Sequence, residues 1–204
     1  MRRFIKTVVP TEGYTEVKQV GSRYVVHLEG VQNPNDGTTT CYECITESAP
    51  DMTVLQQELA EFKAYIGGVE LKMAKEGKVK QLLEYDSSDA VNSFEIQQNG
   101  VKLTDYWLDR DLRSSLEGDV NAFVDAGIVT YNFDIREMDI TLPLDCAKFL
   151  AALKTLKMYA VNSYNQTSRH LAAIDALTTV SDVEDYDFTT GYPTKLVFDI
   201  ADLT

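Results

Sequence analysis

Apolar residues recur along this chain with two periods, near two in some stretches and near 3.6 in others, and the alternation between them lays out its elements. From residue 4 to 46 the short period dominates. Tyr14, Val17, Val20, Tyr24, Val25, Val26, Leu28 and Val31 stand among Gly13, Gly21 and Gly30, and Asn33-Pro34-Asn35-Asp36-Gly37 is a strong turn before Thr38 to Ile45. Three or four short antiparallel strands follow, with Asp-Gly as the hairpin signal. So small a sheet must pack on a helix or a partner. Ser48-Ala49-Pro50-Asp51 then opens a helix, with Thr53 and Gln56 at capping-box spacing. Leu55, Leu59, Phe62 and Ile66 form one apolar stripe. Two glycines, Gly67 and Gly68, each cost about 1 kcal/mol in a helix interior, so a kink or break is expected there before Val69, Met73, Val79, Leu82 and Leu83 continue a weaker stripe.

Beyond residue 84 the pattern predicts helix flanked by hairpins. Val91 to Ile96 alternates, Gln97 to Gly100 turns, and Val101 to Leu108 returns as a strand containing the single tryptophan, Trp107. Asp109 caps a helix carrying Leu112, Leu116, Val120, Phe123 and Val124, which stops at Gly127. Ile128 to Phe133 and Met138 to Leu142 make a second hairpin across Asp134 to Glu137. Pro143 suits the first turn of a long helix whose apolar set runs through Phe149, Leu150, Leu153, Leu156, Ala160, Tyr164, Leu171, Ile174 and Leu177, a rod of roughly 50 Å. Such a rod outreaches a small domain, so one end is expected to meet another domain or subunit. Ser181 and Glu184 form a further capping box, and Lys195 to Ile200 returns as a strand. The fold class is therefore α+β. It comprises an N-terminal antiparallel β module (1–50), a connecting helical segment (51–83) and a C-terminal domain (84–204) of β-hairpin, helix, β-hairpin and long helix.

Composition changes this picture in two ways. The 204 residues are 44% hydrophobic with 11 Tyr and 8 Phe, which fits one or two ordered domains and argues against disorder. The net charge is −13, and residues 81–204, with 9 basic and 21 acidic side chains, carry −12 of it. A surface so acidic repels phosphate backbones and anionic membranes, so neither nucleic-acid binding nor membrane insertion is expected. Arg2 and Arg3 imitate a signal-peptide n-region, but Lys6, Thr7 and Pro10 break the apolar run behind them, and no stretch approaches the ~18 apolar residues of a span. Three cysteines, an odd count, fit a reducing compartment, and synthesis in a host cytoplasm is expected.

Candidate chemistry is sparse. Cys41 and Cys44 have the gap of a zinc half-site, yet a structural site needs four ligands, and positions 41 and 44 of a strand point to opposite faces. His27 is the one nitrogen candidate nearby. His170 lies near Thr167 and Ser168, but Gln166 and Ile174, one turn either side, supply no carboxylate to orient it, so a helix-surface or interface histidine is expected. Asp86, Asp89, Asp105, Asp109 and Asp111 cluster around turns and a helix start, where turn chemistry alone places Asp. In Trp107-Leu108-Asp109-Arg110-Asp111-Leu112-Arg113 the indole is expected to seal a capped helix while Arg113 reaches back to the acidic turn residues. No cofactor, metal or catalytic motif emerges.

The span from about Leu83 to Phe198 resembles a domain-of-unknown-function family encoded near the tail and tail-fibre genes of phages and prophages of gut bacteria. The matching residues are Tyr85-Asp86-Ser87-Ser88-Asp89-Ala90-Val91-Asn92-Ser93-Phe94, Trp107-Leu108-Asp109 with Arg113, Leu142-Pro143, Tyr159-Ala160, Tyr164-Asn165, Thr167, His170, Tyr186-Asp187 and Gly191-Tyr192-Pro193-Thr194-Lys195-Leu196. Gly13-Tyr14-Thr15, Lys18-Gln19-Val20-Gly21, Gly30-Val31-Gln32, Cys41-Tyr42-Glu43-Cys44 and Leu55-Gln56-Gln57-Glu58-Leu59 look like that family's usual leader. Two departures are Asp111-Leu112, where a Thr is expected before Arg113, and Ser163, where Cys is frequent.

The resemblance implies a tail-associated structural or adaptor protein, not an enzyme. Its expected partners are other phage tail or fibre proteins and further copies of itself, in the virion. A tail-fibre assembly chaperone is the variant of this reading, and a glycan-degrading or glycan-binding tail protein is the alternative. The resemblance carries over no catalytic residue: Trp107, Asp109, Arg113, His170, Tyr186, Asp187, Gly191, Tyr192 and Pro193 are expected to be structural. Leu55, Leu59, Phe62 and Ile66 are a candidate interface, either the seam of an oligomer or the cover of the chain's own sheet. The sheet is favoured because Gly67-Gly68 and Lys80 spoil a heptad register.

Overall fold

The computed structural model describes residues 2–12, 14–135 and 139–204. It is α+β, and the chain divides into two compact units, one ending at Lys72 and one running from Met73 to Thr204. The division falls inside a helix, so the segment 51–83 is shared between the two units.

The first unit is a four-stranded antiparallel sheet of order β1-β4-β3-β2, formed by β1 (Ile5–Pro10), β2 (Val17–Val20), β3 (Arg23–Asn33) and β4 (Thr38–Thr46). At the β3–β4 hairpin the Asp36 carboxylate accepts from the Thr38 N–H at 3.0 Å and the Asn33 amide at 2.7 Å, and Gly37 supplies the left-handed φ of +66°. A bulge after Leu28 lets Tyr14 close over the strand. A Cβ on Gly30 would meet the Tyr14 hydroxyl at 2.3 Å, which is why glycine stands there. Gly13 itself lies outside the described residues.

Helix α1 (Met52–Asp86) runs unbroken for 35 residues. Its cap is Asp51, whose carboxylate accepts from the Thr53 N–H at 3.0 Å, rather than the expected Thr53 and Gln56 pair. The expected break at Gly67-Gly68 does not occur. Both glycines face open space, and a missing side chain weakens a helix without interrupting its backbone ladder. Leu55 and Leu59 are each 1% exposed against Phe4, Val26, Leu28 and Cys44, while Phe62 packs on Phe4 with ring centroids 5.6 Å apart. That stripe therefore covers the chain's own sheet and is not free to form a seam; Ile66 is half-buried.

The second unit holds a three-stranded sheet of order β6-β5-β9, from β5 (Phe94–Gln98), β6 (Val101–Tyr106) and β9 (Val197–Asp199), with β9 parallel to β5. It also holds a two-stranded ribbon of β7 (Thr130–Ile135) and β8 (Ile140–Asp145). Helices α2 (Arg110–Asp125), α3 (Cys146–Ala176), α4 (Val180–Asp185) and α5 (Ile200–Leu203) complete it. One apolar core gathers Phe94, Ile96, Leu116, Val120, Phe133, Ile135, Leu144, Phe149, Leu153 and Leu156.

Several expectations shift by a turn or less. The stretch from Val91 to Phe94 is largely turn, with β5 starting at Phe94. Pro143 sits in β8 opposite Asn132, and α3 begins three residues later under the Asp145 cap, whose carboxylate accepts from the Lys148 N–H at 2.9 Å. A ribbon strand has one unpaired edge, so proline is tolerated. The cap of α4 is Thr179, accepting from the Asp182 N–H at 3.1 Å, rather than Ser181 with Glu184. Of the hairpin turn expected at Asp134 to Glu137, Asp134 and Ile135 belong to β7, paired with Thr141 and Ile140, and the rest, with Met138, lies outside the described residues.

Candidate functional site

Helix α3 spans 31 residues, about 47 Å at the α-helical rise. Its buried stripe begins apolar, through Phe149, Leu153 and Leu156, and then turns polar: Ser163, Thr167 and His170 are 3%, 5% and 4% exposed. Tyr164, expected in the apolar set, is 71% exposed. Polar side chains buried on a helix require partners. Those partners come from the segment after α4 and from the C-terminal end of α1.

His170 is therefore not a surface histidine. Its Nε2 lies 2.9 Å from the Thr190 carbonyl and its Nδ1 2.7 Å from the Tyr186 hydroxyl. A carbonyl only accepts, so Nε2 carries a hydrogen, while Nδ1 and the Tyr186 hydroxyl share the other bond, which leaves both ring nitrogens engaged. The ring also stacks on Tyr192 at 5.6 Å. Gln166 donates to the same Thr190 carbonyl at 3.2 Å and lies against Gly191, where a Cβ would come within 2.4 Å of its amide nitrogen and where φ is +78°. Glycine is thus dictated twice over at 191.

A second relay lies beside the first. Thr167 donates to the Asp86 carboxylate, so in its contact with Tyr192, at 2.8 Å, the phenol is the donor. Burial pushes the Tyr186 and Tyr192 phenols up, with Thr167 partly offsetting the effect at Tyr192. Tyr85 sets its ring against Tyr192 at 5.5 Å and Phe188 at 5.9 Å, and Lys78 donates to the Glu184 carbonyl at 2.7 Å. Asp187 closes the turn by accepting from the Thr189 hydroxyl at 2.7 Å and its N–H at 2.9 Å, bonds that hold the carboxyl below its ordinary range. Pro193 follows, half-buried. The structure thus brings His170, Tyr186, Asp187, Gly191 and Tyr192 into one node, together with Thr167, Asp86, Gln166 and Tyr85.

Trp107, Asp109 and Arg113 line a groove of about 710 Å³ between α2 and α3, which reaches the node at Asp86. Asp109 caps α2 as expected, accepting from the Leu112 N–H at 2.8 Å. Half-buried Trp107 meets Tyr159 edge-on at 6.3 Å, and the Arg113 guanidinium lies 5.0 Å over the indole. Arg113 does not reach the acidic turn residues; it donates to the Leu108 carbonyl instead. Desolvation lowers its pKa, with Asp109 opposing. Across the groove, Lys157 pairs with Glu117 at 3.3 Å. Ser163 lines the floor, and its Oγ is buried without a hydrogen bond of ordinary geometry beside the Tyr159 phenol, itself donating to the Val91 carbonyl at 3.0 Å.

The remaining candidates scatter. Cys41 and Cys44 are buried free thiols on opposite faces of β4, as their register requires, and burial pushes both up. His27 bridges the Thr15 carbonyl at 3.0 Å and the Glu43 carboxylate at 3.2 Å. Asp105 sits between Lys102 and Lys195, each 2.7 Å away, which hold its carboxyl below the usual range. Among the described residues no group of three His, Cys, Asp or Glu side chains converges as metal ligands would, and no helix is long and apolar enough to cross a membrane.

Sequence reasoning missed Gln166 and Lys157 as members of these two sites, and it singled out Asp86 only as a turn carboxylate. Thr167 was not legible from the pattern, because a polar position on a helical stripe reads as solvent-facing. No protein-family model, no curated protein and no solved structure matches the chain.

Proposed function

We propose that the protein is a phage tail or tail-fibre-associated structural or adaptor protein, acting through protein–protein interfaces with other tail proteins and with further copies of itself. It is made in the host cytoplasm and retained in the tail region of the virion. The reading starts from the resemblance of residues 83–198 and of the leader before them. The observation that carries it is how the motif residues are used: both ring nitrogens of His170 are spent on Tyr186 and Thr190, Asp86 is spent on Thr167, and Asp109 is spent on a helix cap. A catalytic base needs a lone pair facing its substrate, and a nucleophile needs such a base beside it. These motif side chains instead hold one segment of the chain against another, the work expected of a scaffold whose specificity lies in its surfaces.

Mass spectrometry of purified particles of the phage or induced prophage tests this. The chain is expected at fixed, symmetry-related stoichiometry. Its absence from particles, with the chain abundant in infected cells, rejects a virion component and leaves the tail-fibre assembly chaperone or an enzyme.

A further inference from the structure

We propose that the core of the second unit holds a binding site for one small apolar molecule, of the class of dioxygen or a two- or three-carbon hydrocarbon. A cavity of about 40 Å³ lies in that core, where β5, the β7–β8 ribbon, α3 and the β9–α5 segment meet. Its wall includes Ile135, Leu144, Leu153 and Leu156, each 3% exposed or less. Every side chain that lines it is apolar, and no polar atom borders the space. Water in a protein interior needs two to four polar partners, so it gains little there, whereas an apolar guest gains dispersion contacts with the walls. The inference stands apart from the tail reading, which calls for no such site.

Two aromatic pairs hold the space open. Phe94 meets Phe198 edge-on with ring centroids 5.3 Å apart, Phe133 lies against Phe149 at 5.3 Å, and all four rings line the cavity. Turning one of them into the space would break its pair and drive the side chain off its rotamer. Ala152 on α3 is the smallest side chain of the wall, the position at which a larger residue would take up the volume. Size then sets the ligand class. One water-sized sphere takes about 10–15 Å³, so the cavity of about 40 Å³ admits about three such groups. Benzene, which suits an apolar cavity of about 150 Å³, exceeds it. The wall disfavours polar guests and the volume turns away six-carbon rings.

Xenon is the probe, an apolar atom with no hydrogen bond to offer. The full chain, isotope-labelled at its Ile and Leu methyl groups, is followed by NMR under rising xenon pressure, with helium at the same pressures as the control for compression. The methyls of Ile135, Leu144 and Leu156 are expected to shift saturably with xenon and not with helium, while those of Leu55 and Leu59, in the separate core of the first unit, stay in place. Dissolved benzene is expected to move none of them, and Ala152→Leu to weaken xenon binding at least about tenfold. A xenon response no larger than that of helium overturns the proposal on the wild-type protein alone, whatever the variant does. Equal movement of Leu55 and Leu59 overturns it as well, because it marks general solvation of apolar cores rather than a site. A benzene response as strong as that of xenon removes the size limit on which the ligand class rests, and an undiminished response in folded Ala152→Leu places the xenon elsewhere.

Discussion

Ser163 shows how much a single side chain can disclose. It is 3% exposed on the buried stripe of α3, and its hydroxyl makes no hydrogen bond of ordinary geometry. A buried hydroxyl without a partner costs about 1–3 kcal/mol, whereas a thiol of similar volume behaves as a small hydrophobe and loses little there. Ser163→Cys is therefore expected to raise the chemical-denaturation midpoint, by up to about 1 kcal/mol of stability. A drop would mean that the hydroxyl is held by the neighbouring Tyr159 phenol after all. The same logic explains why His170 looked like a surface residue. Pattern reading assigns polar side chains to solvent, and only the later segment that supplies Tyr186 and Thr190 converts Thr167 and His170 into interior residues.

At the level of elements, the cap at Asp109, the stop at Gly127, the hairpin at Asp36-Gly37 and, to within a turn, the length of α3 follow from local chemistry and were legible, whereas the cap of α1 was sought at Thr53 and Gln56 and lies at Asp51. The four-strand order, the parallel pairing of β9 with β5 and the polar node depend on contacts between separated segments, 28 to 38 residues apart for β1 with β4, 81 for Asp86 with Thr167 and 102 for β5 with β9, which no local pattern encodes. Helix α1 lies between these cases. Its glycines suggested a break, yet Gly67 and Gly68 have helical backbone and nothing within 4 Å of where a Cβ would stand. Glycine there contributes only backbone entropy to the unfolded chain. Gly67→Ala and Gly68→Ala are each expected to stabilise the protein by about 0.5–1 kcal/mol, read from urea unfolding. Destabilisation by either would mean that the exposed face of α1 is covered in an assembly, since only a close neighbour would penalise an added methyl.

Across the whole molecule, charge and hydrogen bonding compete as pH falls. With 32 acidic side chains against 19 basic ones, the folded chain repels itself near neutrality, so protonating ordinary exposed carboxylates relieves strain at first. Three carboxylates behave differently. Asp199 accepts from the Gly100, Ala201 and Asn99 N–H groups, tying the β5–β6 turn to β9 and α5; Asp105 is held by Lys102 and Lys195, and Asp187 by Thr189. Their folded-state pKa values lie below those of the unfolded chain. Each therefore contributes stability that is fully present above the unfolded value, near 3.9, and is lost as pH falls through the folded value. Stability is expected to hold or rise slightly from pH 7 towards 5 and then to fall steeply below about pH 4, where these bonds dominate. Adding salt at pH 7 screens the repulsion and raises the melting temperature. In Asp199→Asn the neutral amide cannot lose a charge, so its acid limb should be shallower than wild type when both are melted across the same pH series at constant ionic strength. Parallel acid limbs would mean that the Asp199 bonds to the turn are replaced by water in solution, and that the junction of β5, β9 and α5 is held by its apolar contacts alone.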